Sequence, residues 1–250
     1  MPGPVEFNLL KPFCVELLQA LRKERLLSLG GLSINSAKAL FVKELLPLAQ
    51  RPILWLADDE SNLNQIKSDL AAWQIDPYLI LDEKLLSAPY SLEVAQALSL
   101  VAEKQASVIV GTPETLRALE VAHPKELTEQ ILTVKMEERL DLVNFFNTLI
   151  ERGYQVSPGV LTAPGTYTKR GGIIDVFPVN THHPVRIELE DDCVINIYEF
   201  NFFTNAKLSE FATLKIYPIQ VEKVGQNFFK YFKDSLVLLE SATTLTAKTL

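Results

Sequence analysis

Cysteine and histidine are scarce in this sequence of 250 residues, which has two cysteines and three histidines. The cysteines, Cys14 and Cys193, are too few and too far apart for a disulfide framework or a closed four-ligand zinc site, so both are expected to be free thiols. His182 and His183 are adjacent, so on a strand they would face opposite sides, and His123 precedes a proline in a turn. The sequence therefore predicts neither a bound metal nor a cofactor.

Long hydrophobic runs are also absent. Apolar segments such as PILWLA and VIVG are far shorter than the roughly 20 residues that cross a bilayer. The first residues, MPGPVEFNLLKPF, lack the cationic segment and the continuous apolar stretch of a signal peptide. We therefore expect no membrane contact and a cytoplasmic location.

Basic residues are outnumbered, with 24 Lys and Arg against 31 Asp and Glu and a net charge of −7. This balance disfavours a broad electrostatic contact with a phosphate backbone, so weak or no direct nucleic-acid binding is predicted. A local basic patch is still possible, because Lys169 and Arg170 are adjacent and Arg186 follows on a nearby predicted strand.

The first 128 residues alternate helical patterns with short apolar runs. The predicted helices cover about residues 8–27, 36–49 and 61–74, and the runs cover 53–57 and 108–110. Each run ends in a turn signal, which is typical of strands buried on both faces of a parallel sheet. The pattern predicts an α/β domain over residues 1–128.

The next segments have a different pattern. A strand candidate, ILTVK, is followed by a predicted amphipathic helix from about Met136 to Arg152, which Gly153 is expected to end. The segments GTYTKRG, IIDVFPV, PVRIELE and VINIYEF then alternate with period two or run apolar between turn residues, which indicates antiparallel strands. We assign residues 129–213 to a β-rich α+β domain, and 214–250 to the truncated start of a segment that returns to the first domain.

The most informative part of the chain is residues 152–205, where RGGIIDVFP is followed by PVRIELEDD. The RGG string predicts a permissive turn into a buried strand, which Pro178 is expected to end. The order and spacing of the two strings resemble the interaction domain shared by UvrB and the transcription-repair coupling factor. The resemblance implies a β-rich domain that docks the damage-sensing ATPase UvrA and is inserted in a UvrB-like nucleotide-fold domain.

The same resemblance implies which residues contact UvrA. They are Arg170 in the RG turn and Arg186 in the P-x-R-I-E strand, whose guanidinium groups suit bidentate pairing with carboxylates, together with the neighbouring Lys169. Glu190 stands where the family pattern has an aromatic residue, so a reduced affinity is expected. The alternative interpretation is that Arg170 caps a turn and that Arg186 is an exposed strand residue.

The segment LLSLGGLSINSAKALFVKEL resembles the opening of the same family, where UvrB has a phosphate-binding loop. A working loop reads G-x-x-x-x-G-K-[ST]. Counting from Gly31, Ser36 replaces the second glycine, Ala37 the lysine and Lys38 the hydroxyl residue, and Ala39 offers no magnesium ligand. We predict a degenerate RecA-like phosphate loop without nucleotide hydrolysis.

Other catalytic signals are weak. Asp58, Asp59 and Glu60 follow the ILWL run as magnesium-binding carboxylates would, but they also fit a helix N-cap and an acidic first turn. The EDD run at 190–192 is typical of a charged turn, because acid/base catalysis needs two carboxylates in different environments.

The resemblance, together with the weak catalytic signals, implies a noncatalytic adaptor of nucleotide-excision repair. Its expected partners are UvrA and the remainder of a coupling factor, which supplies the motor and polymerase-binding parts. One alternative is a UvrB-like fragment that binds ATP through Lys38, and a second is direct DNA binding.

Overall fold

The computed structural model describes residues 10–24, 26–30, 32, 34–87, 91–221 and 225–240, together with the backbone of 244–249. The α-helices are α1 (Lys11–Leu21), α2 (Asn35–Ala49), α3 (Glu60–Ala72), α4 (Leu92–Ala102), α5 (Pro113–Ala118), α6 (Pro124–Glu129) and α7 (Leu142–Glu151). Short 3-10 helices cover Glu83–Ser87 and Phe228–Phe232. Of the helices in these described ranges, none is long and apolar enough to cross a membrane.

The strands carry most of the long-range pairing. They are β1 (Leu26–Gly30), β2 (Ile53–Leu56), β3 (Tyr78–Leu81), β4 (Val108–Gly111), β5 (Glu120–Val121), β6 (Leu132–Lys135), β7 (Gln155–Val156), β8 (Thr166–Arg170), β9 (Ile173–Phe177), β10 (Val185–Glu190), β11 (Cys193–Phe200), β12 (Lys207–Glu210), β13 (Thr213–Ile216), β14 (Gln226–Asn227), β15 (Leu236–Glu240) and β16 (Thr244–Thr249).

The chain divides into two compact units. The first unit comprises Met1–Pro89, Leu100–Glu120 and Gln226–Leu250, and the second comprises Tyr90–Ser99 and Val121–Gly225. The first contains a largely parallel sheet with helices, and the second is rich in antiparallel strands. This combination confirms the predicted mixture of an α/β part and a β-rich part.

The sheet of the first unit has the strand order β1-β16-β15-β2-β4-β3. The strands β15, β2, β4 and β3 are parallel, whereas β16 pairs antiparallel with both β15 and β1. All residues of β2 and β4 are buried, as the apolar runs predicted. One face of the sheet packs against α1, α2 and α3 in a core that includes Cys14, Leu17, Phe41, Val42, Leu45, Trp55, Leu63, Ile66, Leu70, Val110 and Leu238.

Two predicted helices of this unit agree with the structure and one does not. The predictions for 36–49 and 61–74 are confirmed as α2 and α3, and the Asp59 side chain caps α3 by accepting a hydrogen bond from the backbone N–H of Asn62 at 2.8 Å. The prediction for 8–27 is wrong after Leu21, because LLSLG forms β1 and pairs with β16. Helical periodicity cannot reveal a pairing with a strand more than 200 residues further along the chain.

The second unit is built around a six-stranded sheet with the order β12-β11-β10-β9-β8-β7. Its pairs are antiparallel except for β7 with β8, so the predicted antiparallel strands are confirmed. Helix α7 covers one face and buries Phe145 and Leu149. Phe146 of the same helix stacks on Tyr167 of β8, with ring centroids 5.5 Å apart.

Helix α7 is shorter than predicted. The sequence pattern placed its start near Met136, but the backbone N–H groups of Met136 and Glu137 donate to the carbonyls of Ala212 and Val194. The helix begins after Asp141, whose side chain accepts a hydrogen bond from the backbone N–H of Asn144 at 3.1 Å. The first residues of the predicted helix are therefore used in pairing with other segments, which no local pattern indicates.

The RGG string forms the two-residue turn between β8 and β9. Gly171 has a φ of +59°, and a Cβ atom on Gly172 would lie 2.7 Å from the backbone oxygen of Leu189. The backbone N–H of Leu189 donates to the carbonyl of Gly172 at 2.7 Å. The predicted permissive turn is confirmed, and β9 ends at Phe177, directly before Pro178, as expected.

We predict that Gly172→Ala destabilises the chain by about 1–3 kcal/mol, because the added methyl group collides with a backbone carbonyl that cannot move without breaking β10. The measurement is the free energy of unfolding in urea. The matched control is Gly159→Ala, since a Cβ atom there would meet nothing within 4 Å. Equal effects of the two substitutions would contradict the steric explanation.

Candidate functional site

The six-stranded sheet of the second unit has one apolar face and one polar face. Cross-strand register aligns Thr168, Asp175, Arg186 and Tyr198 in one row. Because successive residues of a strand point to opposite faces, the neighbours of these residues form the buried side against α7. We call the other side the polar face; its members include Thr168, Arg170, Asp175, Arg186, Glu188, Asn196 and Tyr198.

The predicted contact residues do not all lie on this face. Arg170 and Arg186 share it, because Arg170 stands two residues after Thr168 on β8. Lys169 lies on the opposite side, where its ammonium group is 5.7 Å from the ring centroid of Phe146. The structure therefore brings the two arginines to one surface and separates Lys169 from them.

Arg186 is held by groups of its own sheet. Its Nε and Nη2 atoms donate to the two carboxylate oxygens of Asp175 at 2.7 and 2.9 Å. The guanidinium carbon lies 4.6 Å from the ring centroid of Phe200. The hydrogen bonds to Asp175 raise the pKa of Arg186, although burial acts in the opposite direction. The guanidinium is thus fixed and charged before any partner binds.

A second group of contacts surrounds Glu188. Its carboxylate accepts hydrogen bonds from the Tyr198 hydroxyl at 2.8 Å and from the Asn196 amide at 2.7 Å. The hydrogen bond from Tyr198 lowers the pKa of Glu188, against the effect of burial, and Lys207 adds to the lowering. The ammonium of Lys207 also lies 4.6 Å from the ring centroid of Tyr198. Around Glu188, the polar face therefore consists of side chains that are bonded to one another.

Arg170 and Glu190 are both exposed at one end of the sheet. Within the described residues, neither side chain has a hydrogen-bond or ion-pair partner. Arg170 ends β8, and Glu190 ends β10 beside the glycine turn. The guanidinium of Arg170 makes no hydrogen bond to the turn that follows it.

The segment with the predicted phosphate loop has its charges paired internally. Gly31 lies outside the described residues. The hydroxyl of Ser36 accepts a hydrogen bond from the indole N–H of Trp73 at 3.0 Å. The side chain of Lys38 is only 2% exposed and forms an ion pair with Glu240. The Lys38 ammonium also donates to the Asn35 side chain at 3.4 Å.

Glu240 was not foreseen, because it follows Lys38 by 202 positions. It is the last residue of β15 and its side chain is 1% exposed. Its second carboxylate oxygen accepts hydrogen bonds from the Asn62 amide at 2.8 Å and from the Trp55 indole at 3.2 Å. Only knowledge of the pairing between β15 and β2 would have brought these residues together.

Asp59, Glu60 and His123 have structural contacts. Asp59 caps α3, and Glu60 accepts a hydrogen bond from the Thr115 hydroxyl at 3.2 Å. His123 caps α6 by accepting from the backbone N–H of Lys125 at 3.2 Å. In the part of the chain that the structure describes, no three His, Cys, Asp or Glu residues are grouped so that they could hold a metal ion.

Comparison with known families assigns the β-rich part of the chain. Residues 132–221 match the family model of the UvrB interaction domain. The match contains β8 to β12 and the whole polar face. Residues 132–221 of this chain are therefore similar to the UvrB interaction domain.

The relatives belong to two named proteins. The chain is 28% identical to the transcription-repair-coupling factor of Bacillus subtilis over 207 residues. This alignment covers 78% of the chain and 17% of the relative. It is 25% identical over 178 residues to the coupling factor of Borreliella burgdorferi, covering 68% of the chain and 16% of that protein. It is 29% identical over 133 residues to UvrABC system protein B of Treponema pallidum, and this alignment covers 53% of the chain and 18% of that protein.

The chain is thus similar to coupling factors and to UvrB, which confirms the resemblance seen in RGGIIDVFP and PVRIELEDD. It spans less than a fifth of the length of each of these relatives.

We predict that Tyr198→Phe raises the pKa of Glu188 towards its ordinary value, because the largest cause of the lowering is the hydrogen bond from the Tyr198 hydroxyl. A lowered pKa in the folded state stabilises the fold above the ordinary pKa of the group, and this contribution is lost as the pH falls through the folded pKa. The substitution would therefore lower the free energy of unfolding near neutral pH, and this difference from the unsubstituted chain would disappear as the pH falls through the folded pKa.

The measurement is an NMR titration of the Glu188 side-chain carboxyl in both proteins. Asp234 is the internal control, because Lys104 lowers its pKa independently of this sheet. If the Glu188 titration were the same in both proteins, the assigned role of the Tyr198 hydroxyl would be wrong.

Proposed function

We propose that the chain is a noncatalytic interaction module of nucleotide-excision repair that docks UvrA through the polar face. The observation that carries the proposal is the match of residues 132–221 to the UvrB interaction domain, together with the two arginines on one surface of this sheet. In this proposal, residues 129–213 form the docking domain, inserted in a degenerate nucleotide-fold domain of residues 1–128 to which residues 214–250 return. The module would act in the cytoplasm.

The two arginines have different roles in the proposed contact. Arg170 is exposed and unpaired within the described residues, so it is available for a bidentate bond to a partner carboxylate. Arg186 is already bonded to Asp175 and lies over the ring of Phe200, so it offers a fixed, partly covered surface. Arginine and tyrosine are common among the residues that dominate binding energy, and Tyr198 lies in the same row.

Glu190 limits the affinity in this proposal. It stands at the same end of the sheet as Arg170, exposed and without a partner among the described residues. A carboxylate at this place repels an acidic partner and buries less apolar area than the aromatic residue of the family pattern. We propose that docking is weaker than in relatives with the aromatic residue.

The alternative of ATP binding through Lys38 has less support. Its ammonium is buried and paired with Glu240, whereas a phosphate-loop lysine has to reach the outer phosphates of the nucleotide. DNA binding is disfavoured by the net charge of −7. We propose that the motor and polymerase-binding activities belong to the remainder of a coupling factor.

We predict that the chain binds UvrA and that Arg170→Ala and Arg186→Ala each weaken binding by more than about 1 kcal/mol. The measurement is isothermal titration calorimetry with purified UvrA. Lys169→Ala is the matched control, because this neighbouring cation lies on the opposite side of the sheet and is expected to leave the affinity within about 0.5 kcal/mol.

A second variant, Glu190→Phe, is expected to bind more tightly, because it removes a charge and adds apolar area at the same surface. The proposal would be abandoned if the intact chain and Glu190→Phe both failed to bind UvrA. It would also fail if Lys169→Ala were as harmful as the two arginine substitutions.

A further inference from the structure

The buried ion pair of the first unit lies where α/β proteins of this kind hold their ligands. In an open parallel sheet, ligands bind at the carboxyl ends of the strands and near helix N-termini. Glu240 ends β15, and the adjacent parallel strand β2 ends at Leu56. Asn35 begins α2, and Asn62 lies in the first turn of α3. The side chains of Asn35 and Asn62 hydrogen-bond to each other at 2.7 Å.

The carboxylate of Glu240 has the surroundings of a bound anion. One oxygen pairs with the ammonium of Lys38, and the other accepts hydrogen bonds from Asn62 and Trp55. A cation in the first turn of the helix after β1, with amide and indole donors around one oxyanion, is the set of contacts that a phosphate group would require. Here the oxyanion belongs to the chain itself.

We infer that Glu240 is an internal ligand that replaces a bound phosphate in the first unit. It fills the ligand position, neutralises Lys38 and thereby makes this fold independent of nucleotide. The same contact fixes β15 to α2 and β2, because an uncompensated charge at either position would remain buried. The ligand class that this position accepts is a small oxyanion. In the wild-type chain that oxyanion is the carboxylate of Glu240.

The test is thermal unfolding of the whole chain at constant ionic strength, with acetate, inorganic phosphate or magnesium ATP added. We expect the wild-type midpoint to be unchanged by all three. Glu240→Ala should lower the midpoint by about 8 °C or more, because it leaves Lys38 buried without a counter-ion. Acetate or phosphate should then raise that midpoint saturably, since either anion can occupy the vacated position.

Two controls make the result specific. Adding Lys38→Met to Glu240→Ala should abolish the response to anions, because the cation that holds them is gone. Asp234→Ala removes a carboxylate that pairs with Lys104 on the surface, where the side chains are 72% and 68% exposed, so it should change the midpoint little and show no anion response.

If Glu240→Ala does not fold, Glu240→Gln keeps the side-chain volume and serves in its place. The double variant Lys38→Met/Glu240→Gln should then unfold at a higher temperature than Glu240→Gln alone. The inference is overturned if magnesium ATP stabilises the wild-type chain through Lys38, if neither anion restores Glu240→Ala, or if the Lys38 and Glu240 substitutions are additive.

Discussion

Strand β15 comes from the far end of the chain, yet it lies between β2 and β16 inside the sheet of the first unit. Its parallel pairing with β2 places Leu238 beside Trp55 in the core against which α1, α2 and α3 pack. Closing so long a loop costs conformational entropy, which the burial of apolar side chains in this core offsets. The core of the first unit is therefore incomplete without residues 236–240. The packing of α1, α2 and α3 depends on this strand.

The second unit depends on register. Alternation along its strands gives α7 an apolar surface and leaves polar side chains on the other side. A slip of one residue would exchange the two faces. The turn at Gly171 and Gly172 prevents this, because it allows only two residues between the paired Arg170 and Ile173. The positions of both arginines thus depend on a turn that favours glycine at both positions, through the positive φ at Gly171 and the close approach of the Leu189 carbonyl at Gly172.

Local patterns predicted much of this architecture. The strands from β8 to β11 followed from alternation and turn residues, and α2 and α3 from apolar periodicity. The patterns failed where pairing partners are distant: the helix predicted over 8–27 extended into the first residues of β1, and the start of α7 was placed too early. They also left β3 and α4 unpredicted. The same limit applies to the candidate sites. Arg186 was identified from its motif, but its bond to Asp175 required the register, and the bond between Lys38 and Glu240 required the complete sheet.

The bond between Arg186 and Asp175 has a consequence for the kinetics of association. A guanidinium paired with a carboxylate beside it has a weak field at long range, and Glu188 lies close to the same row. Such a surface attracts a distant acidic protein little, so its encounter rate is not raised much by electrostatic steering. The affinity of a complex formed on this surface is therefore determined mainly by its dissociation rate. That rate depends on how well the rigid side chains fit the partner at close contact.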